Sequence, residues 1–143
     1  MGAVLYHRCS VTLERFAIVL IFIAMSSIAV IDFETTGISP NMGDRATEVA
    51  IVMLEGGQVV DRYQSLMNAG VRVNSFITQL TGITNEMVAG QIIDPAAVAT
   101  FAAPASLVIA HNAAFDRRFL ERFSDVFSTK PWACSLSQID WAA

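Results

Sequence analysis

The stretch Ile28-Ala29-Val30-Ile31-Asp32-Phe33-Glu34-Thr35-Thr36-Gly37 decides the fold. Ile28 to Phe33 is short, rich in β-branched residues and almost wholly apolar, which suits a strand buried on both faces. Thr35-Thr36-Gly37 and then Pro40-Asn41-Met42-Gly43 break it. Asp32 and Glu34 stand two apart at its end, so strand alternation puts both carboxylates on one face. A buried strand that ends in two like charges costs free energy unless cations or hydrogen-bond donors compensate.

Downstream, Thr47 to Leu54 and Gln58 to Leu66 predict two more strands, joined over Glu55-Gly56-Gly57 in a hairpin. Residues 68–94 mix short helical pieces with loops. Ser75 is expected to cap a turn from Phe76 to Leu80, and Thr84 one from Asn85 to Ala89. Pro95 opens a helix to about Ala103, and Pro104 ends it. Leu107 to Ala110 reads as a fourth strand, Asn112 as the cap of a helix from Ala113 to about Phe123, and Trp132 to Leu136 as a fifth strand. Three strands in a meander, a helical crossover, a strand, a helix and a strand make an α/β fold with a mixed sheet. The crossover is long enough for a parallel pairing.

The helix from Ala113 carries a second chemical signal. At about 100° per residue, with Phe115 at zero, Phe119, Phe123 and Leu120 fall near 40°, 80° and 140°, and Asp116 near 100°. A lone carboxylate thus lies inside the apolar face, while Arg117, Arg118, Glu121 and Arg122 take the wet side. An acid near a helix start can also be held by the helix dipole and reach sideways to water, but buried charges usually pair or coordinate metal, which is the favoured reading here. Asp32, Glu34 and Asp116 together offer oxygen only, the donor set of Mg²⁺ or Mn²⁺. Two such ions suit phosphodiester hydrolysis. Rival chemistries are missing: there is no Gly-rich phosphate loop with Lys, no GxSxG elbow, and only His7 and His111 for zinc.

The 143 residues suffice for one domain and not for two. Hydrophobic residues make up 54% and charged residues 15%, which excludes intrinsic disorder. A net charge of −4 argues against a broad double-stranded DNA footprint, but leaves room for an enzyme that grips a few terminal nucleotides through cations. Cys9 and Cys134 lack metal-ligand spacing and read as ordinary thiols in a reducing, cytoplasmic compartment.

Before the first strand, Phe16 to Ile31 carries no charge. It is shorter than the roughly 20 residues a bilayer needs. Ala24 and Ser26 offer a signal-peptide cleavage spacing. The favoured reading splits the run into an extension over residues 1–25, arising from an upstream translation start, and a domain over 26–143 that opens on a strand. A membrane-tethered or exported protein is the alternative.

Four segments carry a family resemblance. Ile31-Asp32-Phe33-Glu34-Thr35-Thr36-Gly37 resembles the first motif of the DEDD 3′–5′ exonucleases. His111-Asn112-Ala113-Ala114-Phe115-Asp116 resembles their second, in the form of the proofreading epsilon subunit of bacterial DNA polymerase III. Asp44-Arg45-Ala46-Thr47-Glu48-Val49-Ala50 and Leu80-Thr81-Gly82-Ile83-Thr84 look like the segments between, in the right order.

The resemblance implies a ribonuclease H-like mixed sheet with flanking helices and stepwise removal of nucleotides from a 3′ end. It implies that Asp32 bridges two Mg²⁺ or Mn²⁺ ions, Glu34 joins one and Asp116 holds the other. Thr35, with the backbone near Thr36, would meet the terminal nucleotide; the loop from Leu80 to Ile83 would line its pocket, with Asn112 and Phe115 nearby. The implied partners are a single-stranded or frayed 3′ end of DNA, with RNA left open, and a DNA polymerase subunit. No membrane is favoured.

The family's third motif, a His base followed five residues later by a fourth metal-binding Asp, has no counterpart. Residues 117–143 contain no His, and Asp125 and Asp140 lack that context. His111 precedes its helix as a supporting residue. The sequence thus reads as truncated at its carboxyl end, an exonuclease impaired by the loss. The alternative is a remnant that binds nucleic acid or a polymerase without cutting, through Arg117, Arg118 and Arg122.

Overall fold

The computed structural model describes residues 26–142. The proposed extension over residues 1–25 lies outside them, whereas Ile28 to Ile31 belongs to the first strand. No helix among the described residues is long and apolar enough to cross a membrane.

The frame is a five-stranded mixed sheet. Its strands are β1 (Ser27–Thr35), β2 (Ala46–Glu55), β3 (Gln58–Leu66), β4 (Leu107–Ala110) and β5 (Trp132–Cys134), in the order β3-β2-β1-β4-β5. β1 pairs antiparallel with β2 and parallel with β4, so the expected parallel pairing is made by the first strand. The β2–β3 hairpin turns on Gly56 and Gly57, at φ 55° and 78°. Both lie in the left-handed region that a tight two-residue hairpin requires, which explains the paired glycines.

Between β3 and β4 the chain forms α1 (Ser75–Thr81), α2 (Asn85–Val88) and α3 (Pro95–Ala102). After β4 come α4 (Ala113–Leu120) and, beyond β5, the short α5 (Ser135–Gln138). Four expectations about the elements are corrected. β5 ends at Cys134 rather than Leu136, because Ser135 already opens α5. The cap of α1 is Asn74, whose side chain accepts from the Ile77 amide, and Ser75 is already helical. Asn112 holds the N-cap position of α4 but makes no side-chain capping bond. α4 ends at Leu120 rather than near Phe123, because Arg122 and Phe123 donate three residues back, to Phe119 and Leu120, in a tightened last turn.

Burial is one-sided. Ala29, Ile31 and Phe33 alternate inward with Val49, Ile51 and Met53, against Val98 and Ala102 of α3 and Phe119 and Leu120 of α4. On the opposite face Ile28, Val30, Val52 and Leu54 are only half-buried. The expectation that the first strand is buried on both faces therefore fails: an unbroken apolar run is compatible with one fully covered face as well as two. The one-sided core matters for chemistry, because Asp32 and Glu34 belong to the more open face.

A smaller core gathers Val73, Ile77, Ile83 and Val88 under Leu66. It fixes α1 and α2 to the far end of β3, so the loop from Leu80 to Ile83 is a supported structure.

Candidate active site

The site forms where β1 outruns β4. Pairing between these strands stops at Val30↔Ile109, and β4 itself ends at Ala110. Beyond that point β1 lacks a strand on this side. The Phe33 amide is met instead by Asp116, whose Oδ1 accepts from it at 3.2 Å. Asp116 is carried there by the first turn of α4, which Phe119 holds onto Phe33 with ring centroids 6.3 Å apart. It is 2% exposed, as its place among the phenylalanines predicted.

Asp32 is exposed and Glu34 half-buried on the open face of β1. Across the sheet Glu34 faces Glu48 of β2. Just past this pair the register shifts between Glu34 and Thr35, a bulge that bends the strand end and re-aims the residues after it.

Electrostatics ties the acids together. The Asp116 carboxyl is pushed up to about 6, first by burial, then by the charge of Asp32 and, less, of Glu34; the Phe33 amide opposes this. Glu34 is also raised, by burial first, then by Asp32 and Glu48. The three predicted acids are thus electrostatic neighbours. They do not form a closed cage: among the described residues no three His, Cys, Asp or Glu side chains are gathered tightly enough to hold an ion as they stand. The chemistry of the donors nevertheless fits a hard divalent cation, since every candidate ligand is a carboxylate oxygen and the buried one has only backbone amides, of Phe33 and of its own residue, to offset its charge.

The other predicted residues separate. Thr35 is buried and donates its hydroxyl to Gly37 O at 2.6 Å. Thr36 is committed to the loop: its amide donates to Arg45 O, and its Oγ1 accepts from the Arg45 amide. The Thr36 amide, expected at the nucleotide, is therefore already used. Leu80 is 71% exposed, whereas Ile83 is buried in the smaller core and supports the loop from beneath. Phe115 is half-buried against Phe119. Asn112 is exposed. His111 lies with Nδ1 3.0 Å from Ser135 Oγ and its ring against the edge of Trp141, consistent with a supporting role.

The arginine strip is largely engaged. Arg117 pairs with Glu121 at 2.6 Å and lies over Trp132, and Arg122 reaches back to Pro40 and Asn41.

Glu48 was missed by the sequence reading. Its signal was present, a lone charge inside the apolar run Ala46 to Leu54, the same irregularity that marked Asp116. An open groove of about 410 Å³ near Glu55 and Phe101 sits by the start of β1, the end opposite the acids, and plays no part in the site.

Comparison with known proteins agrees with this geometry. Over 94 residues the chain is 39% identical to the "3'-5' exonuclease DinG" of Bacillus subtilis, covering 64% of this chain and 10% of that protein. Over 118 residues it is 32% identical to the PolC-type DNA polymerase III of Thermotoga maritima, covering 81% of this chain and 8% of that one. The chain thus spans about a tenth or less of the length of these relatives. Among solved structures, exonuclease X in complex with 5′ overhanging duplex DNA matches with a TM-score of 0.58 and 23% identity, over 80% of this chain and 68% of that one. E. coli exonuclease I bound to an oligonucleotide matches with a TM-score of 0.64 and 17% identity, over 82% and 32%. Likeness at this identity carries the fold, a ribonuclease H-like mixed sheet with flanking helices. The family described as Exonuclease matches residues 29–139, nearly all of the sheet and every acid of the site, and the chain belongs to that family.

Proposed function

We propose that this domain removes nucleotides one at a time from the 3′ end of DNA by phosphodiester hydrolysis, with Asp32, Glu34 and Asp116 holding Mg²⁺ or Mn²⁺. One observation carries the reading: a carboxylate buried to 2% exposure inside a phenylalanine-rich helix face is delivered to the strand end where Asp32 and Glu34 already crowd. A fold that needed only stability would place a neutral acceptor there, because a buried charge beside Asp32 is costly. The similarity to the 3′–5′ exonuclease DinG of Bacillus subtilis supports the 3′–5′ direction.

Divalent cations bound here would supply an activated water and neutralise the charge on the leaving oxygen. The protein's own contribution is placement. β1 offers Asp32 and Glu34 from the open face, α4 fixes Asp116 at the strand edge, and Leu80 stands exposed in the last turn of α1. DNA is favoured over RNA by the two solved neighbours, whose complexes contain DNA or an oligonucleotide. A polymerase partner is supported by the PolC-type relative.

The test is shortening of a 5′-labelled single-stranded oligonucleotide. Loss of one nucleotide at a time from the 3′ end, with Mg²⁺ or Mn²⁺ and not with chelator, is the expected result. Degradation from the 5′ end, or activity indifferent to chelator, would overturn the reading.

A pH dependence follows from the raised Asp116. Below about pH 6 a cation must displace the proton on this carboxyl, so affinity falls by up to about tenfold per pH unit. Titration calorimetry with Mn²⁺ at pH 5 and 7.5, in buffers of different ionisation enthalpy, should show weaker binding and greater proton release at the lower pH. Equal affinity and no proton release at both values would remove Asp116 from the cation site.

A further inference from the structure

We propose that Arg122 is a positioning residue, a strap that fixes the loop after β1 to the helix bearing Asp116 and so holds the approach to the site for the nucleic acid end. This role rests on the exonuclease reading above.

The loop from Thr35 to Arg45 is built to hold one shape. At its neck, the Thr36 amide donates to Arg45 O and the Arg45 amide donates to Thr36 Oγ1. Inside, the Asp44 carboxylate accepts from the Ser39 amide at 2.9 Å. It fills the space beside Gly37, where any Cβ would collide with it. The far end is the single turn Pro40–Met42, whose Asn41 and Met42 are exposed. Held only by its neck and by the buried Pro40, such a tip would leave Asn41 and Met42 free to open.

Arg122 prevents that from the tightened last turn of α4. One guanidinium nitrogen donates to Pro40 O at 3.2 Å, and the other to Asn41 Oδ1 at 2.7 Å. The planar fork reaches both acceptors with two separate nitrogens in a fixed geometry, which the single nitrogen of an ammonium does not reproduce. Pro40 is buried beneath it, and Phe123 and Phe119 floor the small cavity where loop and helix meet. The same helix presents Asp116 to Phe33 at its other end. Arg122 therefore joins the two chain segments that must keep a fixed relation at the site: α4, and the loop that follows Asp32, Glu34 and Thr35. It touches neither the acids nor the space in front of them.

The expected signature separates positioning from chemistry. In R122A, amide hydrogen exchange at residues 36–45 should rise about tenfold or more, with residues 29–33 and 49–53 unchanged. KM for a single-stranded oligonucleotide should rise about tenfold while kcat stays within about twofold. R122K, which keeps the charge and loses the fixed fork, should fall between, and N41A should show a weaker effect in the same direction. Unchanged exchange in R122A would overturn the strap. So would faster exchange with KM unaltered, or a fall in kcat at unaltered KM. D116N in the same assay separates the two proposals. If D116N retains full nucleotide release, or if the wild-type protein releases none, the function itself fails. If D116N is inactive and R122A equals wild type, only the strap fails.

Discussion

Replacing Asp116 by Asn will abolish nucleotide release, by about 10³-fold or more, and will at the same time stabilise the metal-free protein at neutral pH. Asn keeps an oxygen that can accept from the Phe33 amide, so the local bond at the strand edge survives. What it removes is the charge. In the wild type that charge is opposed by near-complete burial and by Asp32, which together raise the carboxyl from 3.8 to about 6. Because the folded value lies above the unfolded one, the contribution of Asp116 to stability is fully present below about pH 4 and is lost as pH rises through about 6. The ceiling on that loss is about 3 kcal/mol, from roughly two pKa units at about 1.4 kcal/mol each. Urea denaturation in chelator at pH 5 and 7.5 reads it: the wild type should weaken with rising pH, and D116N should not. If D116N is instead less stable at pH 7.5, the acid supports the fold and has no claim to be a tolerated burden of function.

The second large effect concerns the platform. Truncating Phe127 to Ala should destabilise the domain by about 3–5 kcal/mol, the range for deleting a fully buried aromatic side chain. Phe127 ends a single turn, Asp125–Phe127, and is 0% exposed. Its ring lies 6.5 Å from that of Trp132, whose Nε1 donates to Phe127 O at 3.1 Å. The residue thus anchors β5 beside β4, and β4 leads directly into α4 and Asp116. Loss of the ring should loosen the edge of the sheet from which the buried acid is presented. Denaturant unfolding measures the cost, and a change below about 1 kcal/mol would show that this edge is not part of the cooperative core.

The two effects run in opposite directions for a single reason. Phe127 lies where burial serves folding alone, whereas Asp116 lies where burial of a charge opposes folding and, in the proposed function, serves cation binding. The one-sided core permits both: apolar residues of β1 alternate toward α3 and α4, and the acids of the same strand alternate away.

Much of this was legible in the chain. Short apolar, β-branched runs marked the strands, paired glycines marked the hairpin, and Asp116 was conspicuous because a helix period of 3.6 placed it among phenylalanines. Those signals are local, and local geometry repeats faithfully from residue to residue. Tertiary structure decided what depends on distant partners. It settled that β4 pairs with β1 rather than with β3, and that only one face of β1 is fully covered. It placed Glu48 opposite Glu34, gave the Phe33 amide to Asp116 where β4 runs out, and turned Arg122 from a solvated charge into a strap across the loop. Such pairings join residues dozens of positions apart, and no periodicity records them, because they are fixed by which surfaces the packed chain brings into reach.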